Sequence, residues 1–475
     1  MFSKINRLRI FAIGIVITAL CVNACSEDAF STFNNISLDE TVDGNSLRVG
    51  VQFSCAKPED VYIEYWINGQ KDKIFTTPVS IQKTKFKIVL TNLKFNSIYQ
   101  YRIVSGSAGV RFQSDEYSFK TKDIPDQLLG LYHAGAKIQQ ELPIEFKKGT
   151  MLVYNRETPG FIGMLDYQGD LRWYQRFKNT GVKVAHFTQN KTILSILAPM
   201  NYPTSYGNEI LELSLAGDTI FHLKKGEKDF KQTIHHEILI NSKKQYVTLS
   251  AAERIIDLSA VGGNKADTVK GDGILVLDKY GKRIWSWSVF DALDPLKEKN
   301  IIKEAKDWMH ANSLFIDTDG NYIISFYNNG QIWKVNALNK KVMWKFGKGG
   351  DFILPKGAEF DQGHAVHINY QNNLMLFDNG TSKKRSQILA FELNGLTKQV
   401  SLKLCVPLPE GIFTDRMGSA YMINKNAVLT CVSKQNQVLL TNKNGDVLWS
   451  MMCANTPYRV EFVPFSKSKP FIEGF

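Results

Sequence analysis

The chain has 475 residues, a formal net charge of +12, 44% hydrophobic and 22% charged residues. Those proportions exclude wholesale disorder, a collagen-like fibre and a polytopic membrane protein, and the length suits two or three domains. The 29 Phe, 18 Tyr and 8 Trp favour a β-rich core, and the positive excess favours anionic partners in general without selecting one.

The first residues read as an address. Lys4, Arg7 and Arg9 form a basic start, Ile10 to Leu20 a short apolar stretch, and Val22-Asn23-Ala24-Cys25 a small-then-Cys ending. The apolar stretch falls short of the roughly 20 residues that span a bilayer, so residues 1–24 are expected to be a lipoprotein signal peptide. Cys25 would then be the acylated N-terminus of an exported, membrane-anchored lipoprotein in the periplasm or on the outer membrane or cell surface. Of the remaining cysteines, Cys55, Cys405, Cys431 and Cys453, none lies in a CxxC. Export permits a bridge among the last three, with buried free thiols as the other reading.

Residues 25–125 are expected to form a strand-rich N-terminal domain. Leu47 to Phe53 and Val61 to Ile67 alternate apolar and polar residues, the latter followed by the turn pair Asn68-Gly69, and Phe86–Leu90, Tyr99–Val104 and Tyr117–Thr121 continue the series. Short strands at this density predict a small β-sandwich, and the Tyr99-x-Tyr101-Arg-Ile strand resembles a fibronectin type III module.

From residue 126 to 475 one pattern recurs: a strand, a Gly turn and a strand ending in an aromatic residue. Its copies run from Phe161 to Trp173, Glu209 to Phe221, Gly273 to Trp285, Gln331 to Trp344 and Gln437 to Trp449, with Gln387 to Leu402 a weaker fifth copy in chain order. Four strands per unit at intervals of about 50 residues are the signature of a β-propeller. The predicted class is all-β: a six-bladed β-propeller behind a small sandwich.

Five of the eight histidines fall just ahead of, or on, the strand that should be innermost in a blade: His186, His235, His236, His310 and His364. Equivalent positions in successive blades converge at one mouth of the central channel. His367, three residues beyond His364, should take the opposite strand face. Clustered imidazoles serve as nucleophile, general acid/base or metal ligands, and Glu237 and Asp307 are the nearby carboxylates. No HExxH, EF-hand, Walker or Gly-x-Ser-x-Gly segment occurs. A histidine-ligated metal enzyme and a non-enzymatic binding lipoprotein therefore stay open.

These segments resemble the bacterial arylsulfate sulfotransferase family. His235-His236-Glu237-Ile238 is similar to its first active-site histidine segment, Asp307-Trp308-x-His310-x-Asn312-Ser313 to its second, and His364 with Phe377-Asp378-Asn379-Gly380 to its nucleophile segment; Gly418-Ser419-Ala420 resembles a marker in the last blade. The resemblance implies transfer of a sulfuryl group from an aryl sulfate donor to a phenolic acceptor through a sulfohistidine, with no nucleotide donor, cofactor, metal or nucleic acid. It implies His364 as nucleophile and His236, His310 and Asn312 as the other catalytic residues, with His235 a further substrate contact. The aromatic rings of Trp308 and Tyr327 are read either as a stacking surface for the substrate ring at the mouth or as packing between blades. Three departures stand out. Gly363 precedes His364 where the family has Gln. Tyr327 stands where the family has its sulfuryl-binding arginine, which leaves Arg385 or Arg416 as substitutes, or else a slow enzyme that Tyr327→Arg would speed. The family's close-spaced disulfide has no counterpart.

Overall fold

The computed structural model describes residues 33–107, 110–135, 141–203 and 205–468. Cys25 and the expected signal lie outside the described residues. No helix among the described residues is long and apolar enough to cross a membrane.

The N-terminal strands form one seven-stranded sheet curled on itself. Its spine is the 19-residue strand Val49–Ile67. The first half pairs with Phe33–Asp39 and Ser80–Leu90, the second with Ile98–Ser107. Register breaks between Ser54, Glu59 and Val61 bend it where the partners change. Val49, Val51, Phe53, Val61, Ile63 and Tyr65 all point inward, so the period-2 pattern holds on both sides of the bend. The sandwich-like layering thus comes from a single strand serving both halves.

This sheet docks on the outermost strand of the first blade, Leu171–Phe177, far from the propeller axis. Asn45 Nδ2 donates to the Tyr174 carbonyl at 2.7 Å, Arg172 Nη2 to the Asn92 carbonyl at 2.9 Å, and Lys94 pairs with Asp170 at 2.8 Å. Its apolar core runs without a break into the first and last blades.

Six antiparallel sheets then follow around an axis. Blades 2 to 6 carry the channel-lining strands Thr180–Phe187, Ile234–Ile240, Ala311–Ile316, Gly363–Ile368 and Ser419–Asn424, and in blade 3 the short strand Tyr206–Gly207 pairs with the start of Ile234–Ile240. Blade 1 is assembled from both ends of the propeller: Thr150–Asn155, Gly160–Leu165 and Leu171–Phe177 receive Glu461–Val463 as the innermost strand. That closure leaves the ring without an open seam. Tyr132–Ala134 adds a fifth, outer strand to blade 6.

The recurring hairpin and its aromatic end have a physical account. Each hairpin is the outer half of a blade, and in blades 1, 3, 4 and 6 it ends in a tryptophan that reaches the next unit. Trp173 Nε1 donates to the Leu215 carbonyl of blade 2 at 2.8 Å. Trp285 packs on Tyr322 of blade 4 with ring centroids 5.0 Å apart, and Trp344 lies against Gly395 of blade 5, where a Cβ would sit 3.0 Å from the indole. Trp449 meets Phe146, just ahead of blade 1, at 5.0 Å. The repeat therefore carries the glue between blades as well as the turn.

The four described cysteines are free thiols, so the expected bridge among Cys405, Cys431 and Cys453 does not form. Cys431 and Cys453 lie on strands Ala427–Val432 and Val447–Cys453, with Gln437–Asn442 between them. Two strand spacings are about 10 Å, beyond the reach of a disulfide. Cys405 is exposed on the outer edge of blade 5.

Candidate functional site

The innermost strands all enter the channel from the same mouth, and most are irregular there. Register breaks fall between His235 and Ile238, Ala311 and Ser313, and His364 and His367. His236, Met309, His310 and Ala365 take left-handed backbone angles, with φ of +55°, +75°, +53° and +49°. Such bulges re-aim side chains and cluster at functional sites. Here they turn imidazoles from three blades toward one another. Ring centroids step from His235 to His236 at 5.1 Å, His236 to His310 at 5.3 Å, His310 to Tyr327 at 5.5 Å and Tyr327 to His364 at 5.5 Å.

His364 is only 3% exposed. Its Nδ1 lies 2.5 Å from Asn379 Oδ1. The Asn379 amide nitrogen donates to the carbonyls of Thr414 and Met417 at 2.9 and 3.0 Å, which fixes its oxygen toward the ring. The network therefore assigns the proton to Nδ1 and leaves a lone pair on Nε2. Burial, reinforced by the nearby Arg459 charge, pushes the His364 pKa down to about 3.

His310 is the opposite case. Its side chain is 31% exposed, and Nδ1 meets Asp307 Oδ2 at 2.7 Å. Burial opposes the charged form, but the Asp307 carboxylate overrides it and raises the His310 pKa. His235 and His236 face each other Nδ1 to Nδ1 at 2.9 Å, so one donates and the other accepts. Burial, with the His310 charge second, lowers His235 to about 4, and burial with the His235 charge second holds His236 well below the ordinary histidine range. Asp272 accepts from the Ala311 amide at 2.8 Å and places its other oxygen 3.4 Å from His235 Nε2; burial raises its pKa to about 7.

Asn312 is fully buried. Its Oδ1 accepts from Ser313 Oγ at 2.9 Å, while its Nδ2 has no partner among the described residues. Tyr327 lies between His310 and His364 and donates its hydroxyl to the Asp415 carbonyl at 2.9 Å.

Three expected substrate contacts lie elsewhere. Trp308 is 1% exposed and packs on Phe290 at 5.3 Å within the core between blades 3 and 4, because the strained turn at Met309 and His310 sends the indole away from the mouth. Arg416 is 62% exposed at the rim, held at 3.0 Å by its own neighbour Asp415. Arg385 is exposed in a basic turn with Lys383 and Lys384, where charges remain hydrated at no desolvation cost.

His186 and His367 sit deeper in the channel. His186 Nδ1 meets Glu461 at 2.8 Å, and its Nε2 bonds Glu237. Burial opposes its charge, yet Glu237 and Glu461 raise it to about 9. His367 stacks on Tyr421 at 5.2 Å and donates to the Ala365 carbonyl at 2.9 Å. The bulge puts it on the same face as His364, since their cross-strand partners Met375 and Phe377 are two apart; the three-residue spacing alone predicts the opposite face.

Sequence reasoning missed Arg459, Asp272 and the part played by Asn379. Arg459 is 3% exposed. It donates to Glu237 Oε2 at 2.5 Å and to the Asn312 carbonyl at 2.5 Å, with Ser313 Oγ and Tyr458 Oη at 3.4 Å. The alternating run Tyr458 to Val463 signals a strand, but its place as the ring-closing strand at the histidine mouth comes only with the pairing to Thr150–Asn155. Among the described residues, no three or more His, Cys, Asp or Glu side chains are grouped to hold a metal ion.

No curated protein matches the chain. Among solved structures it is similar to a protein of unknown function from Bacteroides caccae, at 8% identity over 66% of this chain and 98% of that one, with a TM-score of 0.42. A streptogramin B lyase follows at 11%, 70%, 95% and 0.39, and the Cps50 (Swd1) β-propeller domain of Myceliophteria thermophila at 9%, 68%, 90% and 0.37. The family model described as Arylsulfotransferase (ASST) matches residues 136–401, more than half of the sequence, and the chain belongs to the arylsulfotransferase family.

Proposed function

We propose that the protein moves a sulfuryl group from an aryl sulfate to a phenol by two displacements at His364. Family membership implies aryl sulfate sulfotransfer without a nucleotide donor; the observation that supports the covalent route is the His364–Asn379 pair, which leaves Nε2 unprotonated at the mouth.

In the first step the Nε2 lone pair attacks sulfur and the S–O(aryl) bond breaks. The departing oxygen takes a proton from His310, the one mouth histidine whose charged form is favoured, and leaves as phenol. Sulfur is now bonded to Nε2, while Nδ1 keeps its proton on Asn379. In the second step an acceptor phenol gives its proton to the neutral His310 and attacks sulfur, the S–N bond breaks, and His364 returns to its starting state. An ordinary phenol pKa near 10 makes it a serviceable leaving group and nucleophile. Asn312 Nδ2 and His236 line the path as donors to the sulfuryl oxygens. We also propose, from the basic and apolar start before Cys25, that the chain is exported and lipid-anchored; Cys25→Ser should then release it from the membrane fraction or block its maturation.

A chromogenic aryl sulfate tests the reaction. Without acceptor, phenol release should stop at about one equivalent, with one sulfuryl group on His364 by mass spectrometry; added phenol should restore turnover. Equal multiple turnover without acceptor would make it a hydrolase, and no release would remove the reading.

A further inference from the structure

The family's position for a sulfuryl-binding arginine holds Tyr327, and neither Arg385 nor Arg416 enters the cluster. We infer that Arg459, carried by the strand that closes the ring and lying beyond the family-matched residues 136–401, supplies the fixed positive charge for the sulfuryl group together with Asn312. This rests on the sulfotransfer reading and assigns the residue that reading lacks.

Three observations carry it. First, placement: Arg459 lies two residues before the innermost strand Glu461–Val463, at the same mouth where His235, His236, His310 and His364 begin theirs. It touches both the backbone and the neighbourhood of Asn312, through its carbonyl at 2.5 Å and Ser313 Oγ at 3.4 Å.

Second, unmatched donors: Arg459 Nε and Asn312 Nδ2 are buried and have no hydrogen-bond partner among the described residues. Buried donors in native proteins are almost always paired. Each of these neighbouring residues thus keeps an N–H free to donate to an acceptor with several oxygens.

Third, charge: Arg459 heads a buried chain of ion pairs down the channel, through Glu237, His186 and Glu461 to Lys467. With His186 charged, three cations alternate with two anions; the chain is net positive, with Lys467 at its part-exposed end and Arg459 at its fully buried end by the mouth. A sulfuryl group carries one negative charge, and a fixed cation in a dry site stabilises it with no reorganisation. The same charge disfavours protonation of His364 and His236, which keeps the nucleophile in its reactive form.

The test uses Arg459→Lys, which keeps a charge but not the planar fork, and Arg459→Met combined with Glu237→Gln, which leaves no buried carboxylate unpaired. Circular dichroism and melting temperature establish that each is folded. Two readouts are taken: single-turnover phenol release, and binding of inorganic sulfate by calorimetry. The expected result is phenol release slower by about a hundredfold or more and sulfate binding weakened at least about tenfold in the double variant, with Arg459→Lys between it and wild type. A folded double variant that releases phenol within about tenfold of wild type, or binds sulfate equally well, overturns the assignment. Wild-type protein that forms no sulfohistidine would instead bring down the sulfotransfer reading, which the sulfate measurement then separates from the arginine.

Discussion

His186 and His364 occupy innermost strands of one channel and have opposite electrostatics. His186 lies between two carboxylates and is raised to about 9; His364 faces an amide oxygen and an arginine and is lowered to about 3. Burial pushes both downward. What separates them is the partner: Glu237 and Glu461 reward the charged ring, whereas Asn379 holds a neutral tautomer without charging it. The deep channel is therefore a structural ion chain that reaches the mouth at Arg459, and the mouth itself sets the neutral imidazoles of His235, His236 and His364 beside the charged pair His310–Asp307.

The largest effect that tests this division is at the mouth. His364→Ala should remove both half-reactions, with phenol release reduced more than about a thousandfold, because the nucleophile is gone. His186→Gln should leave release within about tenfold, since both ring nitrogens of His186 are bound to carboxylates away from His364. Retained single-turnover release by His364→Ala would erase the distinction.

The next is in stability. The folded pKa of His186, about 9, lies above its ordinary value of 6.5. Its contribution is thus fully present below about pH 6.5 and lost as pH rises through about 9, and the shift is worth about 3 kcal/mol. His235, His236 and His364 behave oppositely: neutral when folded, they take up protons on unfolding, and cost stability as pH falls below about 6.5. Urea unfolding from pH 6 to 9.5 should show wild type losing about 3 kcal/mol more than His186→Gln. Parallel curves would mean that His186 is not charged in the fold.

A smaller effect concerns His310. Asp307 raises its pKa, so the acid form needed for phenol departure is lost on the alkaline side. Asp307→Asn removes that support, and the alkaline limb of single-turnover release should move to lower pH, with a loss of about tenfold or more above pH 8. An unmoved limb would take the proton-transfer role from His310.

How much of this was legible follows from which signals are local. The hairpins were readable because each blade repeats its own turn and five of the six end in an aromatic residue, and Trp173, Trp285, Trp344 and Trp449 each contact the next unit. The histidines were readable as a cluster because blades place equivalent residues at one mouth. Trp308 was not, because its direction depends on positive φ at Met309 and His310, which no residue type there announces. Arg459 was not, because it joins the mouth only when the C-terminal strand closes blade 1, a contact across the whole propeller. The separation of His186 from the mouth needed both of its carboxylates, one of them on that same closing strand.

Tyr327 stands between the two regimes, and its substitutions carry the smallest expected change. Its ring lies 5.5 Å from both His310 and His364, and its hydroxyl donates to the Asp415 carbonyl at 2.9 Å. Tyr327→Phe keeps the ring and loses that bond, a cost of about 1 kcal/mol, so phenol release should stay within about fivefold. Tyr327→Arg restores the side chain found elsewhere in the family, and sequence alone suggests that it would speed the reaction. The structure argues otherwise. A guanidinium there would stand beside the charged His310 and lower its pKa by like-charge repulsion, and it would abandon the bond that ties the rim at Asp415. Release should slow at neutral pH, with an alkaline limb displaced in the same direction as in Asp307→Asn. A faster Tyr327→Arg enzyme would show that the Arg459 charge does not reach the sulfuryl group.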